Sequence, residues 1–205
     1  MKLNETFIVI GPSGSGKGTQ IKLLKEYIAT HYPETDLYYF EAGSHFRDFT
    51  EQKNNYTSKI MKSILDRGML APDFVTEWFI TDALVHHMTG EAQTLIFDGT
   101  PRTEGQAKTI NAIMEYYGRR NMKVLNFTVP EDVVRERMTS RGRADDIDPE
   151  AIENRITWYR EKVTKAIEYF RNHADYEVID INGVGDITEI HHNIIARLQL
   201  DKSNA

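Results

Sequence analysis

The sequence predicts an α/β fold, a five-stranded parallel sheet flanked by helices. Short apolar runs recur along the whole chain, stretches with apolar residues at helical spacing separate them, and the loops after the runs collect glycine, lysine, arginine and aspartate. Residues 7–10 form the first run, which Gly11 ends, and further strands are expected at 37–40, 94–97, 124–129 and 176–181. Ile21, Leu24 and Ile28 mark the first helix. Ile152, Ile156, Tyr159, Val163, Ile167 and Phe170 share one face and predict a long helix with charges opposite. Ile187, Ile190, Ile194 and Leu198 predict the last. Parallel sheets of this kind bind ligands outside the carboxyl ends of their strands. The polar clusters lie there: 11–19 after the first strand, 43–47 after the second and 98–102 after the third.

Composition narrows the function. A chain of 205 residues can build one domain with small inserted lobes, and 40% apolar with 27% charged residues is ordinary for a soluble protein. A net charge of −6 disfavours a generic nucleic-acid binder, which needs a basic face. The chain has no cysteine, which excludes disulfides and cysteine-ligated zinc and suits a reducing cytoplasm. No stretch approaches the roughly 18 apolar residues of a membrane span, so a cytoplasmic protein with no membrane partner is expected. Residues 202–205 read as a frayed tail.

The strongest motif is Gly11-Pro12-Ser13-Gly14-Ser15-Gly16-Lys17-Gly18-Thr19, between an apolar run and an amphipathic helix. Glycines let backbone N–H groups turn inward around phosphate oxygens, the lysine reaches the β- and γ-phosphates, and the helix N-terminus adds partial positive charge. This is a phosphate loop, and it predicts the P-loop NTPase fold. Gly18 stands where Ser or Thr would hold Mg²⁺ directly, with Thr19 one residue later. Such loops serve GTPases, motors and several kinds of kinase, so the loop alone names no reaction.

Gly16-Lys17-Gly18-Thr19-Gln20 resembles the adenylate kinase family, and further segments follow in the family's order. They are Ala42-Gly43-Ser44-His45-Phe46-Arg47, then the turn Gly68-Met69-Leu70-Ala71-Pro72-Asp73, then Asp98-Gly99-Thr100-Pro101-Arg102-Thr103 with Gln106 beyond it, and finally the set Arg137, Arg141, Arg143, Asp145, Asp146 and Arg155. The resemblance implies a nucleoside monophosphate kinase that moves the γ-phosphoryl of Mg-ATP to a nucleoside monophosphate, AMP favoured, and a monomer. It implies ATP contacts from Gly11, Ser13, Gly14, Ser15, Gly16, Lys17, Gly18, Thr19, Arg137, Gly183 and Val184. It implies monophosphate contacts from Ala42, Gly43, Arg47, Leu70, Ala71, Gly99, Arg102 and Gln106. Lys17, Arg102, Arg141, Arg143 and Arg155 would be catalytic, and Asp98 would hold Mg²⁺ through water. It further implies a single domain over 1–205, with a core at 1–42, 74–138 and 149–201, an acceptor lobe near 43–73 and a lid near 139–148, both lobes closing over the substrates.

Physical chemistry agrees with these roles. Phosphoryl transfer is mainly positioning and electrostatic stabilisation, and arginine clamps phosphates with a rigid fork of donors. Blander readings stand beside them. Arg137 and Arg141, four apart, could pair with Glu131 and Glu136 on a helix surface; Asp145 and Asp146 could cap a helix starting near Pro149; Asp98-Gly99 could be a plain turn; Arg155 could be a polar-face residue. His86 and His87 read as surface or packing residues, and Trp78 and Trp158 as core.

The chain departs from the family pattern in places. Arg141-Gly142-Arg143 leaves almost no lid and rules out a zinc knuckle, and the stretch before Arg155 is one residue longer. Ala42 and Thr100 favour a UMP/CMP-type kinase, whereas Gln106 favours adenine; an amide can pair with a base edge and Ala42 cannot, so Gln106 carries the choice. Thr100 replaces an aromatic and Ser44 an aspartate beside the acceptor. A P-loop ATPase and a small-metabolite kinase are the alternatives. A plain ATPase has no need of both Arg47 and Arg102.

Overall fold

The computed structural model describes residues 2–141 and 148–201. Its strands are β1 (Thr6–Ile10), β2 (Leu37–Glu41), β3 (Thr94–Asp98), β4 (Met122–Thr128) and β5 (Tyr176–Asn182). All pair in parallel in the order β2-β3-β1-β4-β5, so the chain crosses the sheet twice and β1 lies at its centre. Every residue of β1 is buried, as a continuous run of Thr, Phe, Ile and Val in a central strand requires. Parallel pairing sets Val9 opposite Asp98 on one side and Leu125 on the other. The predicted strands agree with the observed ones to within two residues at each end; β4 starts two residues earlier and ends one residue earlier than expected.

Helices cover both faces. On one, α1 (Lys17–His31) and α9 (Ile187–Arg197) bury Ile21, Leu24, Ile28, Ile194 and Ile195 against Phe7, Val9, Ile96 and Leu125. On the other, α4 (Asp73–His87), α5 (Glu104–Tyr116) and α8 (Thr164–Arg171) bury Ile80, Ile110 and Phe170 against Ile8, Phe97 and Val124. The alternation of faces along β1, Phe7 and Val9 one way and Ile8 and Ile10 the other, assigns each residue to its core. Helices α2 (Ala42–Gln52) and α3 (Tyr56–Asp66) follow β2 and contribute Phe46 and Met61 to the second core. A capping box on Asn55 and Ser58 starts α3.

The long helix expected over 152–170 is not one α-helix. It consists of α7 (Pro149–Trp158), a π-helical turn at Tyr159–Val163, and α8. The apolar period is nearly kept, because Ile152, Ile156, Val163, Ile167 and Phe170 are all buried. The wider turn re-aims the side chains on either side of it, and such turns occur often at functional sites. Asp148 caps α7, accepting from the Glu150 N–H at 2.9 Å, with Pro149 at the first helical position. Asp145 and Asp146 lie outside the described residues. Helix α6 (Glu131–Arg141) joins α7 through Val134, Met138, Ile152 and Ile156, and through Arg135, which meets both carboxylate oxygens of Glu153 at 2.6 and 3.1 Å.

The turn from α3 to α4 is packed onto α7. Gly68 has φ +68°, and a Cβ there would stand 2.4 Å from the Ala151 carbonyl oxygen. Asn154 donates to the Arg67 carbonyl at 3.0 Å and the Trp158 indole donates to the Gly68 carbonyl at 2.9 Å. Gly68→Ala should therefore cost about 3 kcal/mol, from the left-handed backbone and the backbone clash together. Urea unfolding followed by circular dichroism measures it, and a loss below about 0.5 kcal/mol would show that the turn can leave α7 freely.

Candidate active site

The phosphate loop sits where β1 ends. Gly16 adopts a left-handed conformation (φ +91°) that starts α1 at Lys17, and a Cβ on Gly16 would meet nothing within 4 Å, so the loop opens outward there. The first turn of α1, with Gly18 and Thr19 exposed, offers N–H groups that have no carbonyl four residues earlier in the helix. The Lys17 ammonium folds back over the loop and donates to the carbonyls of Gly11 and Pro12, each at 2.8 Å. Ser15 is buried within the loop, and Ser13 lines its mouth.

Arg137 does not take the surface pairing open to it. Its guanidinium donates to the carbonyls of Gly14 at 3.3 Å and Gly183 at 2.9 Å, clamping the phosphate loop to the loop after β5. Glu131 instead pairs with Arg135 and Arg160. Gly183 allows this close approach, since a Cβ there would lie 2.7 Å from the Ser15 carbonyl oxygen. Val184, beside it, is 40% exposed.

The second element of the site follows β3. Parallel register places Asp98 beside Val9, directly below the phosphate loop. Its Oδ2 accepts the Tyr39 hydroxyl at 2.8 Å. Burial, then Asp98, push the Tyr39 phenol far above its ordinary range, so Tyr39 remains a donor. Lys25 lies 4.2 Å over the Tyr39 ring. Beyond Asp98 the chain turns at Gly99 and passes the cis bond Thr100–Pro101. The Arg102 side chain turns back, donating from Nε to the Gly99 carbonyl at 2.7 Å. Its guanidinium stands 5.2 Å from the centre of the Trp158 ring.

Gly11, Ser13 and Lys17 thus face Gly99, Pro101 and Arg102 across one cavity, which Trp158 and Val163 close from the side of the π turn. Two cations, Lys17 and Arg102, line one cavity beside the glycine-rich loop, an arrangement that can stabilise phosphate charge.

Gln106 is 1% exposed and does not line the cavity; it lies behind Arg102. Its Oε1 accepts the Arg102 backbone N–H at 2.8 Å and its Nε2 donates to Asp73 at 2.9 Å, which ties α5 to the start of α4. Arg47 lies on α2 and pairs with Glu41 at 2.9 Å; its side chain is 53% exposed and does not line the cavity. Ala42 and Ala71 are buried, Leu70 is half-buried, and Gly43 lies against the Arg47 guanidinium. Arg155 is half-buried on α7, one turn before Trp158. Arg143 lies outside the described residues, as does the side chain of Arg141.

Several contributors were not anticipated. Trp158 was read as core but lines the cavity, and Trp78 is 52% exposed. Only the spacing of Arg155 and Trp158, three apart and so on one helix face, hinted at the first of these. Tyr39 looked like a strand residue and Asp73 like a turn residue; their partners, Asp98 and Gln106, are 59 and 33 positions away.

Fold and site together define a P-loop phosphotransferase. The chain belongs to the adenylate kinase family, whose model, described as adenylate kinase, matches residues 9–175. It is a nucleoside monophosphate kinase. It is 34% identical over 191 residues to the adenylate kinase of Nocardia farcinica, covering 93% of this chain and 97% of that protein. It is 33% identical over 190 residues to that of Corynebacterium aurimucosum, covering 92% and 96%. To the adenylate kinase of Mycobacterium tuberculosis it is 33% identical over 183 residues, covering 89% and 93%.

Arg137→Met removes two charged hydrogen bonds that hold the phosphate loop to the loop after β5. We expect ATP affinity to fall about tenfold, since such bonds contribute roughly 1.5–3 kcal/mol each before relaxation. Isothermal titration measures it, and unchanged affinity would show that the clamp does not shape the nucleotide site.

Proposed function

We propose that the chain is an adenylate kinase, transferring the γ-phosphoryl of ATP to AMP to give two ADP. The observation that carries this reading is that Lys17 and Arg102 line one cavity, with a buried Gln106 amide bonded to the Arg102 backbone behind it. In this reading Lys17 and the N–H groups of Gly11 to Thr19 hold the donor phosphates. Arg137, Gly183 and Val184 border the donor nucleoside. Arg102 and Arg47 receive the acceptor phosphate, Arg47 leaving Glu41 to do so. Arg141, Arg143 and Arg155 close over the transferring group and exclude water. An acceptor lobe near 43–73 and a short lid near 139–148 move on a single core.

Gln106 supports AMP over UMP and dTMP. With Oε1 held by Arg102 and one hydrogen of Nε2 held by Asp73, the amide keeps one donor and one acceptor position. The adenine edge sets a ring acceptor beside an exocyclic donor, which matches that pair, as cytosine does and uracil and thymine, with a ring donor between carbonyls, do not. The relatives' name points the same way.

Magnesium fits the residues present. Among the described residues no group of three or more His, Cys, Asp or Glu side chains could hold a metal by itself. One carboxylate, Asp98, lies below the phosphate loop with one oxygen engaged by Tyr39. That suits Mg²⁺, which keeps several waters and is bound through one or two carboxylates together with substrate phosphates. Asp98 would hold its waters, and the ion would neutralise phosphate charge. We infer a cytoplasmic monomer that acts on these small molecules, with neither nucleic acid nor membrane as a partner; no helix among the described residues is long and apolar enough to cross a membrane.

Initial rates with Mg-ATP against AMP, UMP, CMP, GMP and dTMP separately test the substrate. AMP should be preferred by at least about tenfold in kcat/KM; preference for UMP or CMP overturns the assignment to adenine and leaves the arginine roles in place. Arg102→Ala should reduce transfer by about 100-fold or more while ATP binding is retained. ATP hydrolysis that persists without transfer to any monophosphate in the unmodified protein would promote the ATPase reading instead.

Trp158 supports Arg102 from α7 and should act through it. Trp158→Leu is expected to raise the acceptor KM about tenfold and to leave the ATP KM within about twofold. Trp158→Phe keeps a ring beneath Arg102 and should retain most of the acceptor affinity. Equal effects on both KM values would reduce Trp158 to a packing residue.

A further inference from the structure

Glu41 ends β2 and stands at the N-cap of α2. Its carbonyl accepts the Ser44 hydroxyl at 2.8 Å, but its side chain caps no N–H of the helix. The carboxylate instead accepts from a terminal nitrogen of Arg47 at 2.9 Å. Side chains on a helix lean toward its N-terminus, and that lean carries Arg47 back over Gly43. Gly43 leaves the passage open, since a Cβ there would stand 3.0 Å from the other terminal nitrogen of Arg47.

Parallel register sets Glu41 beside Asp98 on the neighbouring strand. Besides burial, both carboxylates push the Tyr39 phenol up and Arg47 pulls it down, so the three charges share one neighbourhood. The chain that follows Asp98 lines the cavity with Gly99, Pro101 and Arg102, and Arg47 is thus anchored one strand outside it. The anchor is a single contact between side chains 53% and 35% exposed, weak enough for an anion to break.

We propose that Glu41 is a positioning residue for the acceptor: its carboxylate competes with the acceptor phosphate for Arg47 and so sets the acceptor affinity. This rests on the reading of Arg47 as a receiver of that phosphate. Glu41 offers Arg47 one oxygen, whereas a phosphate can engage both prongs of the guanidinium fork and carries more charge. The phosphate therefore wins the exchange, but its apparent affinity is reduced by the fraction of molecules in which Glu41 holds Arg47. A nucleoside without a phosphate has nothing to displace the carboxylate, so Arg47 stays withdrawn from it.

Steady-state rates on the full chain, with Mg-ATP and whichever monophosphate it uses best, test this. Glu41→Gln keeps the size of the side chain and removes its charge. It should lower the acceptor KM about threefold and leave kcat and the ATP KM within about twofold. Glu41→Met, which has no oxygen to offer, should lower the acceptor KM at least as far. The ratio between the unmodified protein and Glu41→Gln should approach one as ionic strength rises from about 0.05 M to about 0.5 M. In an Arg47→Ala background, Glu41→Gln should leave the acceptor KM unchanged, because the two residues act as one unit. An acceptor KM that stays the same or rises in Glu41→Gln overturns the proposal. A fall that persists undiminished in the Arg47→Ala background overturns it too, since Glu41 would then repel the phosphate directly. Arg47→Ala alone decides the reading beneath it: a rise in acceptor KM of about tenfold or more supports that reading. No rise shows that Arg47 receives no phosphate, and the competition falls with it.

Discussion

The catalytic end of this molecule depends on β1 being a central strand buried on both faces. A strand paired with β3 on one side and β4 on the other can shift neither along its axis nor sideways without moving apolar residues out of two cores. The phosphate loop inherits that rigidity, because it begins at the residue where β1 ends. Register with β3 then brings Asp98 to the same level, and the turn after it brings Arg102. Charges separated by more than 80 positions in the chain face each other because their strands are neighbours.

A second layer of polar contacts holds those charges in place. Arg102 is fixed at three points: its Nε by Gly99, its backbone N–H by Gln106, and its guanidinium face by Trp158. Gln106 is in turn held by Asp73, and Trp158 by Gly68. The turn at 67–73 therefore supports the cation after β3 from both sides, once through α4 and α5 and once through α7. Helix α7 and the turn at 67–73 are mechanically joined, so a shift of α7 is felt at Arg102. This arrangement suits an enzyme that must align two anions before it reacts, since small errors in position weaken electrostatic stabilisation steeply.

The π turn gives that network its aim. An unbroken α-helix would carry the face of Ile152 and Ile156 directly on to Tyr159 and Val163. The inserted turn keeps Val163 in the core while Trp158, just before it, reaches both Gly68 and Arg102. The apolar period of the sequence is compatible with either path, because it records which residues are buried and not how the backbone between them is wound.

Much of the architecture was legible in the sequence for a local reason. Strands buried on both faces need continuous apolar runs, helices on a sheet need apolar stripes, and a backbone cradle for phosphate needs glycines at close spacing; each leaves its mark within a dozen residues. The five strands, the phosphate loop and the clustering of Asp98 and Arg102 after β3 followed from such marks, and the order of motifs was enough to place the chain in its family. Tertiary structure alone decided which charges meet. That Arg137 clamps two carbonyls and avoids its helical neighbours, that Tyr39 holds Asp98, and that Trp158 faces a cavity all depend on pairs distant in sequence. A hydrogen bond or a cation–π contact is satisfied by geometry, and many residue types at many spacings can supply the partner, so nothing local in the chain records the choice.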